Sequence, residues 1–340
     1  MNLQIIRLLL LFLSCVLVTS CDNNDSPGRP GNEKPGDEET FSPHWDYIVE
    51  TGMPDSQTFI GTRYLGIDDR NESIPMPPSD GLYVGCVCKS DCFGNSFDDE
   101  VTGDKNQAGI IATFGNGWSD YMANDYIPRS INYVDFIKAT IRSQEYADFI
   151  ADKHSPGVYG FCNLESMDNL KYFFSDNVKF AEGIAESIRL RSGIESPGSL
   201  MFGKAVFKGM TVTLETPADG IFKTAPADAD SLVYIKSLTY GASAYFVVVS
   251  DKEYADVMAC FKGLGGRTLQ EEFSEEDGVL RGSEIYTFII DDVTQNARVG
   301  TTVDSLIDFM DNPFKPLGYG YPLYVDGCWL NGDGAYRPEK

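Results

Sequence analysis

The chain has 340 residues, 51 acidic against 27 basic, for a formal charge of −24. So acidic a surface repels nucleic acid and anionic lipid and keeps the protein soluble. No basic patch, internal repeat or nucleotide-binding glycine motif interrupts it, so no nucleic-acid partner and no cofactor is expected. The two histidines, His44 and His154, and the unpaired scatter of carboxylates supply neither a catalytic constellation nor a metal site, which argues against an enzyme.

In chain order, Arg7 precedes an apolar run over 8–18, too short to span a bilayer and typical of a signal-peptide core. Residues 1–20 are therefore read as a signal peptide. Val18-Thr19-Ser20-Cys21 then resembles a lipobox, in which Cys21 would carry the lipid; the alternative is an ordinary signal peptide with an incidental cysteine. Residues 21–42, rich in Pro, Gly and acid, cannot bury enough apolar surface to fold and read as a flexible acidic tether. The expected location is the outer membrane, as a lipoprotein at the cell surface or secreted. Residues 43–340 are long enough for a large folded module.

Beyond Cys15 and Cys21, six cysteines remain. Cys86, Cys88 and Cys92 crowd the segment GCVCKSDC, while Cys162, Cys260 and Cys328 are scattered. In an exported protein they read as disulfides or buried thiols rather than as a zinc site, with connectivity open. GNGW at 115–118 and the Tyr- and Gly-rich stretch at 318–324 read as turns, and His154 in its loop reads as a surface group. Met167, Leu170, Phe174, Val178, Ala181 and Ile188 fall near one helix face. Farther on, Leu200, Phe202 and Val206 alternate with Met201, Gly203 and Phe207 at the period of a strand.

The stretch 233–250, VYIKSLTYGASAYFVVVS, carries the most information. Aromatic and β-branched residues alternate on both sides of Tyr240-Gly241, which predicts two strands hinged at that pair. A helix with Tyr254, Val257, Met258, Phe261 and Leu264 on one face follows, ended by Gly265-Gly266.

This order resembles the thiol-activated, cholesterol-dependent cytolysins, which carry a similar strand pair before a small helix bundle. Residues 166–174 (SMDNLKYFF) are similar to that family's helix start, 211–222 (TVTLETPADGIF) to its strand and turn, and 286–310 to its later strand and short helix. The resemblance implies an α+β fold: a bent central antiparallel β-sheet flanked by small helix bundles. Nothing in the chain matches the family's tryptophan-rich, sterol-recognising loop, so sterol binding is not carried over. A short form without the terminal sandwich domain is expected.

The resemblance further implies that two helical segments, about 177–208 and 256–282, unravel on a membrane into β-hairpins that many subunits close into one barrel. Candidate membrane-facing residues are Ile184, Ile188, Leu190, Leu200, Phe202 and Val206 in the first segment and Val257 and Phe261 in the second. Glu271, Glu272, Glu275, Glu276 and Asp277 make the second poorly suited to lipid. Where the family has a glycine pair at a strand end, this chain has Asp291-Asp292, which would set negative charge against an approaching strand. The expected function is a lipoprotein of a pore-forming system on a target membrane, oligomerising with its own copies or with a longer cytolysin-like partner. The alternative is a surface binding or adhesion lipoprotein on the same scaffold that does not insert.

Overall fold

The computed structural model describes residues 41–52, 57–67, 82–93, 97, 99–115, 119–263 and 266–338. Cys21, the signal segment, most of the tether, residues 116–118, Leu264 and Gly265 lie outside the described residues. The early strands are β1 (Tyr47–Glu50), β2 (Thr58–Phe59), β3 (Gly66–Ile67), β4 (Val87–Lys89), β5 (Ala108–Phe114), β6 (Ser119–Tyr126) and β7 (Val158–Leu164). The later ones are β8 (Ser199–Glu215), β9 (Leu232–Ser250), β10 (Glu284–Ile290), β11 (Asn296–Gly300), β12 (Tyr321–Trp329) and β13 (Ala335–Tyr336). Among the described residues six α-helices punctuate them: α1 (Ser130–Thr140), α2 (Gln144–Ala151), α3 (Val178–Arg189), α4 (Tyr254–Lys262), α5 (Gly266–Ser274) and α6 (Val303–Asp311).

All thirteen described strands join one sheet whose spine is β8 and β9, 17 and 19 residues long. Their β-branched and aromatic composition suits a pleat buried on both faces, and every residue of β9 except Lys236 is buried. The strand pair expected at Tyr240-Gly241 is thus one continuous strand, and what changes there is its partner. Residues up to Gly241 pair with β12, and those from Ser243 onward with β10. On the other side, the first part of β8 pairs with β7 and the last part with β5. A register shift between Lys208 and Met210 marks the crossing point.

Gly241 sits at that crossing with no room for a side chain. A Cβ there would meet the Phe207 carbonyl oxygen and come within 2.5 Å of Leu323 Cδ1. Gly320, held at φ 74°, packs on the Gly241 backbone from the other side. The stretch 318–324, expected as a turn, therefore leads into β12, the strand that covers this position.

Period-2 alternation sorts the core into two layers. Met201, Ala205, Phe246, Val248, Ile285 and Ile289 face one layer. Leu200, Phe202, Val206, Tyr245, Val247 and Phe288 face the other. All six described cysteines are free thiols, four of them buried.

Candidate functional site

The site is built from strands β7 to β10 and the two connections that leave one end of them. Leu164 pairs with Leu200, and Val249 pairs with both Leu200 and Glu284. The four strands therefore stop at one level. The connection 165–198 joins β7 to β8, and the connection 251–283 joins β9 to β10. Straightening either one extends an antiparallel pair that already exists, in its existing register.

The first connection opens on a 3₁₀ turn, Met167–Tyr172, closed by a capping box between Ser166 and Asn169. Asn177 caps α3 by accepting the Phe180 N–H at 3.2 Å. Phe180, Ile184 and Ile188 recur at four-residue spacing, which puts them on one helix face and against the Leu200 layer of the sheet. Phe174 seals the seam with its ring 5.0 Å from Tyr245 and 5.8 Å from Phe202. Ile184, Ile188, Leu200, Phe202 and Val206 thus share one core, whereas Leu190, past the last turn of α3, is 53% exposed. The reading of 177–208 as a helical stretch is corrected: from Ser199 onward it is strand β8. There β7 and β9 supply hydrogen-bonding partners on both sides, so the alternating residues pair within the sheet described above.

The second connection packs on the opposite face. Phe261 stacks on Phe246 at 5.5 Å and meets Phe161 at 5.9 Å, with Val257 beside it in the same core. Gly266 opens α5 instead of closing α4. Past α5, Glu275, Glu276 and Asp277 are exposed, while the Glu272 carboxylate accepts the Val279 N–H at 2.8 Å.

Both lateral edges of this four-stranded unit are covered. Across β10, β11 pairs through Thr287, Phe288 and Ile289. The Asp291 carboxylate, almost fully buried, accepts from Arg298 of β11 at 2.6 Å and from Lys315 at 2.5 Å. The repulsion expected from Asp291-Asp292 is thereby replaced, at Asp291, by a neutralised clasp that pins the covering strand. Across β7 lies β1, which sequence reasoning missed because a four-residue strand with only Tyr47 partly buried leaves little pattern. Gly160 makes room for it: a Cβ there would lie 2.9 Å from the Tyr47 carbonyl oxygen. The segment around β1 also touches both helical connections. Trp45 meets Phe173 at 5.2 Å, and the Lys262 ammonium lies 5.5 Å from the Tyr47 ring.

His44 is exposed, 3.9 Å from Asp46. His154, expected at the surface, is instead wedged between Phe149 (4.6 Å) and Phe314 (4.9 Å), because the loop carrying it folds over α2. Burial lowers its pKa, and no nucleophile hydrogen-bonds to it. Among the described residues there is no cluster of three or more metal-ligating side chains, and no helix is long and apolar enough to cross a membrane.

No protein-family model matches the chain, and no curated protein matches it. Solved structures do. The human-specific toxin intermedilysin aligns with a TM-score of 0.51 at 13% identity, over 85% of this chain and 61% of that one. The cytotoxin suilysin from Streptococcus suis aligns with a TM-score of 0.53 at 16% identity, over 75% and 58%. Pneumolysin gives 0.50 at 17% identity, over 76% and 58%. The fold is that of the cholesterol-dependent cytolysins, as the motifs implied, and the chain spans about three-fifths of the length of these structures.

Proposed function

We propose that the chain is a component of a lipoprotein pore-forming system, closed in the state described above. In this reading the connections 165–198 and 251–283 refold into strands that lengthen β7–β8 and β9–β10, and lengthened sheets join between subunits. The observation that supports it is the common level of the four strand ends. Each connection also holds enough residues for two limbs of the roughly 9–11 residues that a membrane-spanning strand uses. Closure into a barrel then satisfies every backbone group that lipid would leave bare.

Assembly requires the edges of β7 and β10, so β1 and β11 must leave first. That requirement, with the acids at 275–277, is why the reading includes a longer cytolysin-like partner. A charged side chain facing lipid at the midplane costs about 2–4 kcal/mol, somewhat less for an acid. The chain alone should therefore not permeabilise plain vesicles at pH 7. Cys21 is the proposed lipid anchor, and the proposed location is the outer membrane, at the cell surface or secreted. The same acids favour a second reading, a binding or adhesion lipoprotein that keeps the scaffold and does not insert.

A disulfide between Glu50→Cys and Val158→Cys, which face each other across β1 and β7, separates the readings. With a longer partner present, dye release from vesicles should be abolished by the cross-link and restored by reductant. No release by the unlinked chain with any such partner returns the non-inserting reading. Efficient release by the chain alone at pH 7 makes it a complete pore-former. Cys21→Ala should move the mature chain into soluble fractions; persistent membrane association would refute the anchor.

A further inference from the structure

A cavity of 360 Å³ lies between the N-terminal segment and the sheet, and Glu50 of β1 and Phe173 of the first helical connection are among its lining residues. Trp45, Phe173, Phe202, Tyr245 and Tyr324 make it largely aromatic. Its size and composition match small-molecule sites, which are mostly apolar with a few placed polar groups. The placed group is Lys204 of β8, whose ammonium lies 4.3 Å from the centre of the Trp45 ring. No hydrogen bond or ion pair reaches that ammonium among the described residues.

This is an unusual way to leave a cation in a chain with 51 acids for 27 bases. Lys204 is half-buried, so its ammonium gives up part of its hydration with no ion pair in return. Here burial pushes the Lys204 ammonium below its ordinary range, and the Glu50 carboxylate, which also lines the cavity, opposes that shift, as does Cys162. A cation–π contact with Trp45 recovers part of the lost solvation and leaves the ammonium's hydrogen-bond donors unused.

We propose that this cavity binds a small amphipathic organic anion, a ring-bearing apolar body with one carboxylate or sulfonate, the anionic group on Lys204 and the rings against Trp45, Phe173 and Tyr324. Its walls come from the N-terminal segment, the first helical connection, β7, β8, β9 and β12. A bound anion therefore ties the N-terminal segment and the first connection to the sheet and stabilises the folded chain in proportion to its occupancy.

The probe is 8-anilinonaphthalene-1-sulfonate, titrated into the folded mature chain at pH 7. Saturable binding at one site is expected, with an affinity that falls as salt rises and with a rise in Tm. The neutral analogue N-phenyl-1-naphthylamine should bind at least about tenfold more weakly, a difference of about 1.4 kcal/mol. Lys204→Met should weaken the dye by about the same factor without lowering Tm, since an apolar chain of similar length replaces an unpaired cation. Glu50→Gln should tighten it by removing the competing carboxylate. Absence of saturable binding, or equal affinity for the dye and its neutral analogue, overturns the proposal. So does unchanged affinity in Lys204→Met or, if that variant does not fold, in Lys204→Gln.

Discussion

The two helical connections occupy equivalent places, one between β7 and β8 and the other between β9 and β10, yet they are held very differently. In the first, α3 alone buries Phe180, Ala181, Ile184, Ala185, Ser187 and Ile188, and Leu170 and Phe174 extend the same core. In the second, α4 buries only Val257 and Phe261, and α5 leads into an exposed acidic turn. Each fully buried large apolar side chain contributes about 1.5–3 kcal/mol; among the described residues the first connection has Leu170, Phe174, Phe180, Ile184 and Ile188, and the second has Val257, Phe261, Leu269 and Leu280. The first connection gathers three of its five on one helix face, whereas the second spreads its four over two helices and the turn after them, so the second is expected to open at lower free energy.

The largest test of that asymmetry is a pair of truncations. Ile184→Ala removes a fully buried side chain and should cost about 2–5 kcal/mol by urea denaturation. Met258→Ala, at a partly buried position on α4, should cost on the order of 1 kcal/mol. Equal losses would remove the asymmetry. Native-state hydrogen exchange gives a second view: amides in 254–274 should open about tenfold or more readily than those in 178–188. Slower exchange in the second connection would reverse the order of opening.

Acid should sharpen the contrast through His154, which lines a 220 Å³ cavity with Cys260, Phe261 and Leu269 of the second connection. Burial lowers its pKa below the usual value near 6.5, so the neutral ring is the one the fold prefers. The stability it contributes is complete above about pH 6.5 and lost as pH falls through the lower native value. His154→Leu should flatten the pH dependence of Tm in that window and leave the acid behaviour of the first connection unchanged. An unaltered slope would show that His154 does not couple to this packing.

The smallest expected effect falls on the first connection. Burial would raise the Glu284 pKa, but hydrogen bonds from Ser192, the Gly193 N–H and the Tyr286 hydroxyl outweigh it and hold the carboxyl below the usual range. Its contribution is present above the ordinary glutamate value and disappears as pH falls through the depressed one. Glu284→Gln should remove that acid-side slope and speed exchange at 192–194 with little change in Tm at pH 7. Unchanged exchange there would mean the carboxylate does not secure the end of the connection.

Much of this fold was legible in the residues. The alternation from Val233 to Ser250, the glycine at 241 and the helical spacing of Val257 and Phe261 pointed to a sheet with helical connections, and the cytolysin fold followed from their order. The pairings were not legible. Residues 318–324 looked like a turn because Gly318 and Gly320 punctuate them, yet from Tyr321 they begin β12, the strand that covers Gly241. Leu200, Phe202 and Val206 alternate as a strand does, but an isolated alternation does not say whether its partner is a neighbour in the soluble sheet or a limb in a membrane. Asp291 read as a repulsive charge because Arg298 and Lys315 are distant enough in sequence that only the turn of β10 into β11 and the path after α6 bring them together.

By itself, then, the sequence determined local geometry where its pattern was long and regular: the strand at 233–250, the helix after it, the apolar faces of both, and the place where only glycine fits. These follow from backbone sterics and side-chain period, both of which act over a few residues. The tertiary structure decided which edge each strand meets, that β1 and β11 cover β7 and β10, that Asp291 is neutralised and that Lys204 is not. Those outcomes depend on hydrogen-bond partners and charges brought together from far apart in the chain, and no local pattern encodes them.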